Sequence, residues 1–187
     1  MDRVGLRRSG GLLEGIRVLD MGWSWAGPYA GMILADLGAE VIKLESVHRI
    51  DILRWSGAFA DGVRHYERSG YYTACNRGKK SVTVNLKNPN GRELVLRLVE
   101  HCDGVIENFA PRVLPGLGLG PDVLLERNPG AVIISMSGFG ASGPERDQVS
   151  YGDHLLHASG FASITGSPDA RPPLLHSQRQ PRLRRPR

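Results

Sequence analysis

Residues 16–45, IRVLDMGWSWAGPYAGMILADLGAEVIKLE, constrain the fold more than any other stretch. The run over 16–21 (IRVLDM) is apolar and partly β-branched, which reads as a buried strand. Pro28 suits the first turn of a helix, and Met32, Ile33, Leu34 and Leu37 then recur at helical spacing. Gly38 closes that helix, and residues 40–44 (EVIKL) read as a second strand. Strand, turn, helix and strand in so short a span imply parallel strands, because the helix carries the chain back to the starting edge.

The alternation continues downstream. Residues 81–86 (SVTVNL) alternate as a strand, and Asn88-Pro89 opens a helix to about 102 with Leu94, Val95, Leu98 and Val99 on one face. Residues 104–107 (GVIE) and 131–135 (AVIIS) read as further strands, with a short helix over 121–127 between them and Gly138-Phe139-Gly140 as an exit turn. Residues 151–160 read as a last helix, on which His154 and His157 are structural. The pattern predicts an α/β fold with a parallel sheet. Residues 46–78, rich in Gly, Arg and aromatics, read as irregular. That is long for a plain connector and points to packing on a ligand or a partner chain. Lys79-Lys80 reads as a charged pair ahead of a strand, and Glu45 and Asp51 as salt-bridged structural acids.

Composition narrows the function classes. The 187 residues are 41% hydrophobic and 23% charged, within the range of a globular domain. No apolar run is long enough to span a membrane, and the basic start MDRVGLRRSGG lacks the apolar segment of a secretory signal, so no membrane association is expected. Cys75 and Cys102 lack metal-site or disulfide spacing, which predicts no metal and a cytoplasmic setting. The net charge of +5 belongs to the end of the chain: from residue 171 onward there are six arginines and no acid, and subtracting six from +5 leaves −1 for the rest. A basic tail without interleaved aromatics gives salt-sensitive attraction, so no specific nucleic-acid partner is expected.

In open parallel sheets, ligands sit at the carboxyl ends of the strands. The segments arriving there are Trp25-Ala26-Gly27, Glu45 onward, Leu86-Lys87, Asn108-Phe109 and residues 137–140. They offer backbone amides, cations, small residues and aromatic faces, which suits a phosphorylated small molecule. The dinucleotide, Walker and nucleophile-elbow motifs are absent.

Several motifs then fall in one order. LEGIRVLDMGWSWAGPYAGMILADLGAEVIKLES (13–46), RIDILR (49–54), NRGKKSVTVNLKNPNGRELVLRLVEHCDGVIENFAPRVLPGLGLG (76–120), NPGAVIISMSGFGASGP (128–144) and SGFASITG (159–166) resemble the opening portion of the family III CoA-transferases. That family includes formyl-CoA transferase, L-carnitine CoA-transferase and α-methylacyl-CoA racemase. The resemblance implies a Rossmann-like parallel sheet with flanking helices, truncated before the family's second domain. The expected organisation is a disordered lead-in over 1–11, a CoA-binding α/β domain over 12–166 and an Arg/Pro-rich irregular tail over 167–187. It also implies coenzyme A or an acyl-CoA as substrate, with no permanently bound cofactor, and a small carboxylic acid as acceptor. Full-length members form homodimers. By the same resemblance CoA contacts fall on Trp25 and Ala26, on Val84, Asn85, Leu86 and Lys87, and on Asn108 and Phe109.

Three departures bear on activity. Gly116 stands where the family has an arginine that meets CoA, with Arg112 four residues earlier. Tyr151-Gly152 replaces an aromatic-acidic pair of the formyl-CoA transferase pattern and, in the racemase branch, a catalytic histidine. The family's nucleophilic aspartate lies about fifteen residues beyond the position of Thr165-Gly166, whereas no Asp follows Asp169 here, so no catalytic residue is assigned. The expectation is a CoA-binding portion of a CoA-transferase without its nucleophile. A non-catalytic acyl-CoA-binding module, a partner of a full-length paralogue, and a fragment of the racemase branch are the alternatives.

Overall fold

Five short strands, all parallel, form one sheet in the order β3-β2-β1-β4-β5. They are β1 (Arg17–Asp20), β2 (Glu40–Glu45), β3 (Lys80–Thr83), β4 (Gly104–Glu107) and β5 (Val132–Ser135). The computed structural model describes residues 11–166. The expected tail, and all but the last residue of the expected lead-in, lie outside the described residues. Two units divide the chain, one ending at Asp147 and the other beginning at Gln148.

In the first unit β1 lies at the centre, pairing Val18 with Val41 of β2 on one side and with Gly104 of β4 on the other. Successive strand residues point to opposite faces, and both faces of β1 are covered. Leu19 packs with Val105, Val95, Val99 and Leu124 in one cluster, while Val18 packs with Val41 and Ile106 in the other. Helix α1 (Ala26–Asp36) supplies Ala30, Leu34 and Ala35 to the Val18 side. Helix α3 (Pro89–Val99) and the later α5 (Pro121–Arg127) supply the Leu19 side. Burial on both faces explains why β1, β2 and β4 read as largely apolar runs. The start of α3 follows the sequence: the Asn88 side chain accepts the Asn90 N–H at 2.9 Å, and Pro89 occupies the first turn.

Local departures from the reading are few. The third strand ends at Thr83 rather than residue 86, because residues 86–87 turn toward α3. The span expected to be irregular contains a helix, α2 (Gly70–Asn76), whose N-cap Ser69 side chain accepts the Tyr72 N–H. Its apolar periodicity is weak because only Cys75 of the helix is buried. A single turn of helix, α4 (Val113–Gly116), anchors Leu114 in the core.

The second unit contains α6 (Gly152–Ala158) and a 3-10 turn over Phe161–Ile164. The His154 ring accepts the Tyr151 N–H at 3.4 Å and the His157 ring lies 2.7 Å from the Asp153 carbonyl, both local helix contacts.

Candidate functional site at the strand ends

The order 3-2-1-4-5 places a topological switch point between β1 and β4, where the chain connections leave in opposite directions. The segment from Gly22 to Trp25 leaves β1 there, and Asn108-Phe109 leaves β4. The Asn108 side chain joins the two. Its Oδ1 accepts the Trp23 N–H at 2.6 Å and its Nδ2 donates to the Trp23 carbonyl at 2.7 Å. Above it the Trp23 and Phe109 rings lie 6.2 Å apart, tilted by 56°.

Glycine is required where this turn meets α1. A Cβ on Gly27 would stand 2.7 Å from the Gly22 Cα and 3.0 Å from the Asn108 Oδ1, so the helix start sits directly on the strand end. No side chain caps α1 at Trp25, and no acid occupies its first turn. The amides at that end therefore remain available to an anion. Trp25 is 45% exposed and packs against the Tyr71 ring at 5.0 Å.

Beneath the turn lies a buried ionic cluster that sequence reading missed. Asp20 is fully buried; its Oδ1 accepts the Gly22 N–H at 2.8 Å, and its Oδ2 meets the Lys79 ammonium at 2.6 Å. Lys79 also donates to the Pro28 carbonyl and to the Asn76 side chain, so it is not a solvated member of a charged pair. Only Lys80 fits that expectation, pairing with Glu40 in solvent. Lys43, equally buried, lies 3.7 Å from Asp20 and donates to the Gly22 carbonyl. Burial pushes the Lys79 ammonium below its ordinary pKa, against the pull of Asp20. Gly31 makes room for this contact, because a Cβ there would stand 2.8 Å from the Asp20 Oδ2.

Asp51 departs from its expected salt bridge. Its carboxylate accepts the Ser24 N–H at 3.2 Å and the Leu53 N–H at 2.9 Å, both backbone donors. Ser24 sits at φ 58°, a left-handed conformation unusual outside glycine, and the Asp51 contact helps to hold it. Burial raises the Asp51 carboxyl above its ordinary range despite these bonds. Glu45 does form the expected ion pair, with Arg54 at 2.6 Å, and accepts the Tyr72 hydroxyl as well. No sequence motif announces this arrangement; the sole cue was that Asp20, Lys43 and Asp51 interrupt or border apolar runs.

The remaining residues read from the sequence fall into two places. Val84 and Leu86 are half-buried against the same core cluster as Phe109, while Asn85 and Lys87 are exposed on the turn after β3. Lys87 follows β3, which lies two strands from β1 in the sheet. The Asn85 side chain accepts the Lys87 N–H at 3.0 Å and shapes that turn. Gly116 faces open space, and the Arg112 guanidinium is engaged by Asp147 through its carbonyl at 2.5 Å and its carboxylate at 3.6 Å. Beyond the ends of β4 and β5 a cleft is lined by Glu107, Phe109, Pro111, Ser135 and Ser137. Among the described residues no cluster of three or more His, Cys, Asp or Glu is placed to hold a metal ion. No helix among them is long and apolar enough to cross a membrane.

A parallel sheet in this order, with helices packed on both faces, defines a Rossmann-like α/β domain. Comparison with known proteins narrows the class: the chain belongs to CoA-transferase family III, whose model matches residues 13–179. It is 44% identical over 161 residues to succinyl-CoA–D-citramalate CoA-transferase of Chloroflexus aurantiacus, covering 86% of this chain and 39% of that protein. The identity to succinate–glutarate CoA-transferase of Agrobacterium fabrum is also 44%, over 86% of this chain and 40% of the relative. Among solved structures, a CAIB/BAIF family protein from Brucella suis superposes with a TM-score of 0.78 at 39% identity, over 88% of this chain and 43% of that one. A hypothetical protein from Mycobacterium tuberculosis gives 0.76 at 35% identity, over 88% and 44%. The chain thus spans about 40% of the length of the curated relatives it matches.

Proposed function

We propose that this chain is the coenzyme A-binding portion of an enzyme that transfers CoA from an acyl-CoA to a small carboxylic acid. The observation that carries the reading is the uncapped start of α1, held open at the switch point by Asn108 and Asp51 in a chain of this family. In this reading the amides at Ala26 and Gly27 face phosphate oxygens, and Trp25 and Phe109 offer flat apolar faces. Val84 to Leu86 line the ligand's flank, and Lys87 adds a point charge at the sheet's edge. Asn108 acts mainly by holding Trp23, since its amide already binds that backbone at both ends. A cytoplasmic, reducing setting accords with Cys75 and Cys102, which are both free and buried.

Transfer in this family runs through a carboxylate nucleophile that carries first the acyl group and then CoA. No aspartate follows Asp169 in the printed sequence. The acids near the crevice are engaged: Asp20 by Lys79, Glu45 by Arg54, and Asp51 by backbone amides. A polypeptide of these 187 residues therefore binds CoA without turning it over. Isothermal calorimetry with CoA tests the first half. Incubation with succinyl-CoA and glutarate, followed by thioester analysis and intact-protein mass spectrometry, tests the second. No detectable CoA binding overturns the ligand assignment, and a covalent CoA adduct on the chain overturns the absence of turnover.

A further inference from the structure

Arg49 is a cation beside the β1 exit turn with no acid paired to it among the described residues. It follows β2, the immediate neighbour of β1, and a turn in which its N–H donates to the Ser46 carbonyl at 3.2 Å fixes its position. Its guanidinium carbon lies 4.9 Å from the centroid of the Trp23 ring. The acids closest in sequence are committed elsewhere: Asp51 to the Ser24 and Leu53 amides, Glu45 to Arg54 and Tyr72. Among the described residues no carboxylate pairs with Arg49, whereas the neighbouring Arg54 has Glu45. The ring beneath it is fixed before any ligand arrives, because Asn108 clamps the Trp23 backbone. A guanidinium held over an aromatic face by its charge still has N–H donors to offer to phosphate oxygens.

We infer that Arg49 binds a phosphate of the CoA nucleotide beside Trp23, at the β1 end of the switch point. The inference rests on the CoA reading above and adds Arg49 to the CoA contacts that the resemblance implies. The arrangement also accounts for the long side chain lying over Trp23: the ring holds the guanidinium beside the β1 exit turn instead of leaving it to sweep through solvent.

The test uses the 187-residue chain and three probes: CoA, 3′-dephospho-CoA and pantetheine, which carries no phosphate. Arg49→Ala is expected to weaken CoA about tenfold, as for loss of one charge-assisted contact, and to leave pantetheine unchanged. Arg49→Lys should recover part of the loss by restoring the charge without the planar fork. A loss that disappears with 3′-dephospho-CoA assigns the contact to the ribose phosphate, and one that persists assigns it to the diphosphate. Unchanged CoA affinity in Arg49→Ala, or an equal loss for CoA and pantetheine, overturns the inference while leaving the CoA reading intact. Failure of the unmodified chain to bind CoA overturns both.

Discussion

The side chain of Asn108 binds the backbone of Trp23 at both its N–H and its carbonyl, across 85 residues of sequence. It thereby continues the β1–β4 pairing beyond the last strand residues, at the switch point of the sheet. Asn108→Ala removes both bonds and leaves two half-buried backbone groups to find other partners. The expected destabilisation is about 1–3 kcal/mol, measured by urea denaturation. Trp23 fluorescence should also respond, since its ring packs against Phe109.

The Asp20 carboxylate is shared by two buried ammonium groups. Asp20→Asn leaves Lys43 and Lys79 facing each other without their common counter-charge, and is expected to cost about 3–5 kcal/mol. Lys79→Met removes one cation while Lys43 still accompanies Asp20, so its cost should be the smaller. Thermal or urea denaturation of the two variants checks the order, and equal losses would show that Asp20 does not serve both lysines.

Glu45 and Asp51 should move stability with pH in opposite senses. Burial opposes the Glu45 charge, but the Arg54 and Tyr72 bonds outweigh it and hold the carboxyl below its usual 4.5. Its contribution is therefore complete above pH 4.5 and lost as pH falls through the lower folded value. Glu45→Gln should be less stable than the unmodified chain near neutrality, with the gap closing in acid. For Asp51 burial dominates and the folded value lies above the usual 3.8. Its contribution is complete below 3.8 and declines as pH rises through the folded value, so Asp51→Asn should gain relative to the unmodified chain over that rise. Denaturation from about pH 3 to about pH 7, a range that spans the usual carboxylate values and reaches neutrality, checks both signs.

Cys75 and Cys102 should resist alkylation while the chain is folded. Burial pushes the Cys102 thiol up to about 11 and raises Cys75 in the same direction. Only about one thiolate in a thousand forms at pH 8 for a thiol of that pKa. Iodoacetamide labelling followed by mass spectrometry should therefore show both cysteines unmodified in buffer and both modified in urea.

The sequence by itself determined the order and type of the main elements. Apolar runs such as those around Leu19, Val41 and Val105 are buried on both sheet faces, and that burial leaves a pattern readable one residue at a time. Asn88-Pro89 marked the start of α3 for the same local reason. Helix α2 escaped because one buried residue in seven gives no periodic signal. The motifs singled out Trp25-Ala26 and Asn108-Phe109, which follow β1 and β4, the two strands that flank the switch point. What no linear pattern contained was the partner of each charge. Lys79 beside Lys80 looks like a solvated pair, and Arg49 beside Asp51 looks like half of a salt bridge. Tertiary structure decided otherwise, burying Lys79 on Asp20 and committing Asp51 to backbone amides, so that Arg49 stands free over Trp23. Charges act through space and are governed by burial, so their pairing belongs to the fold and not to the order of residues along the chain.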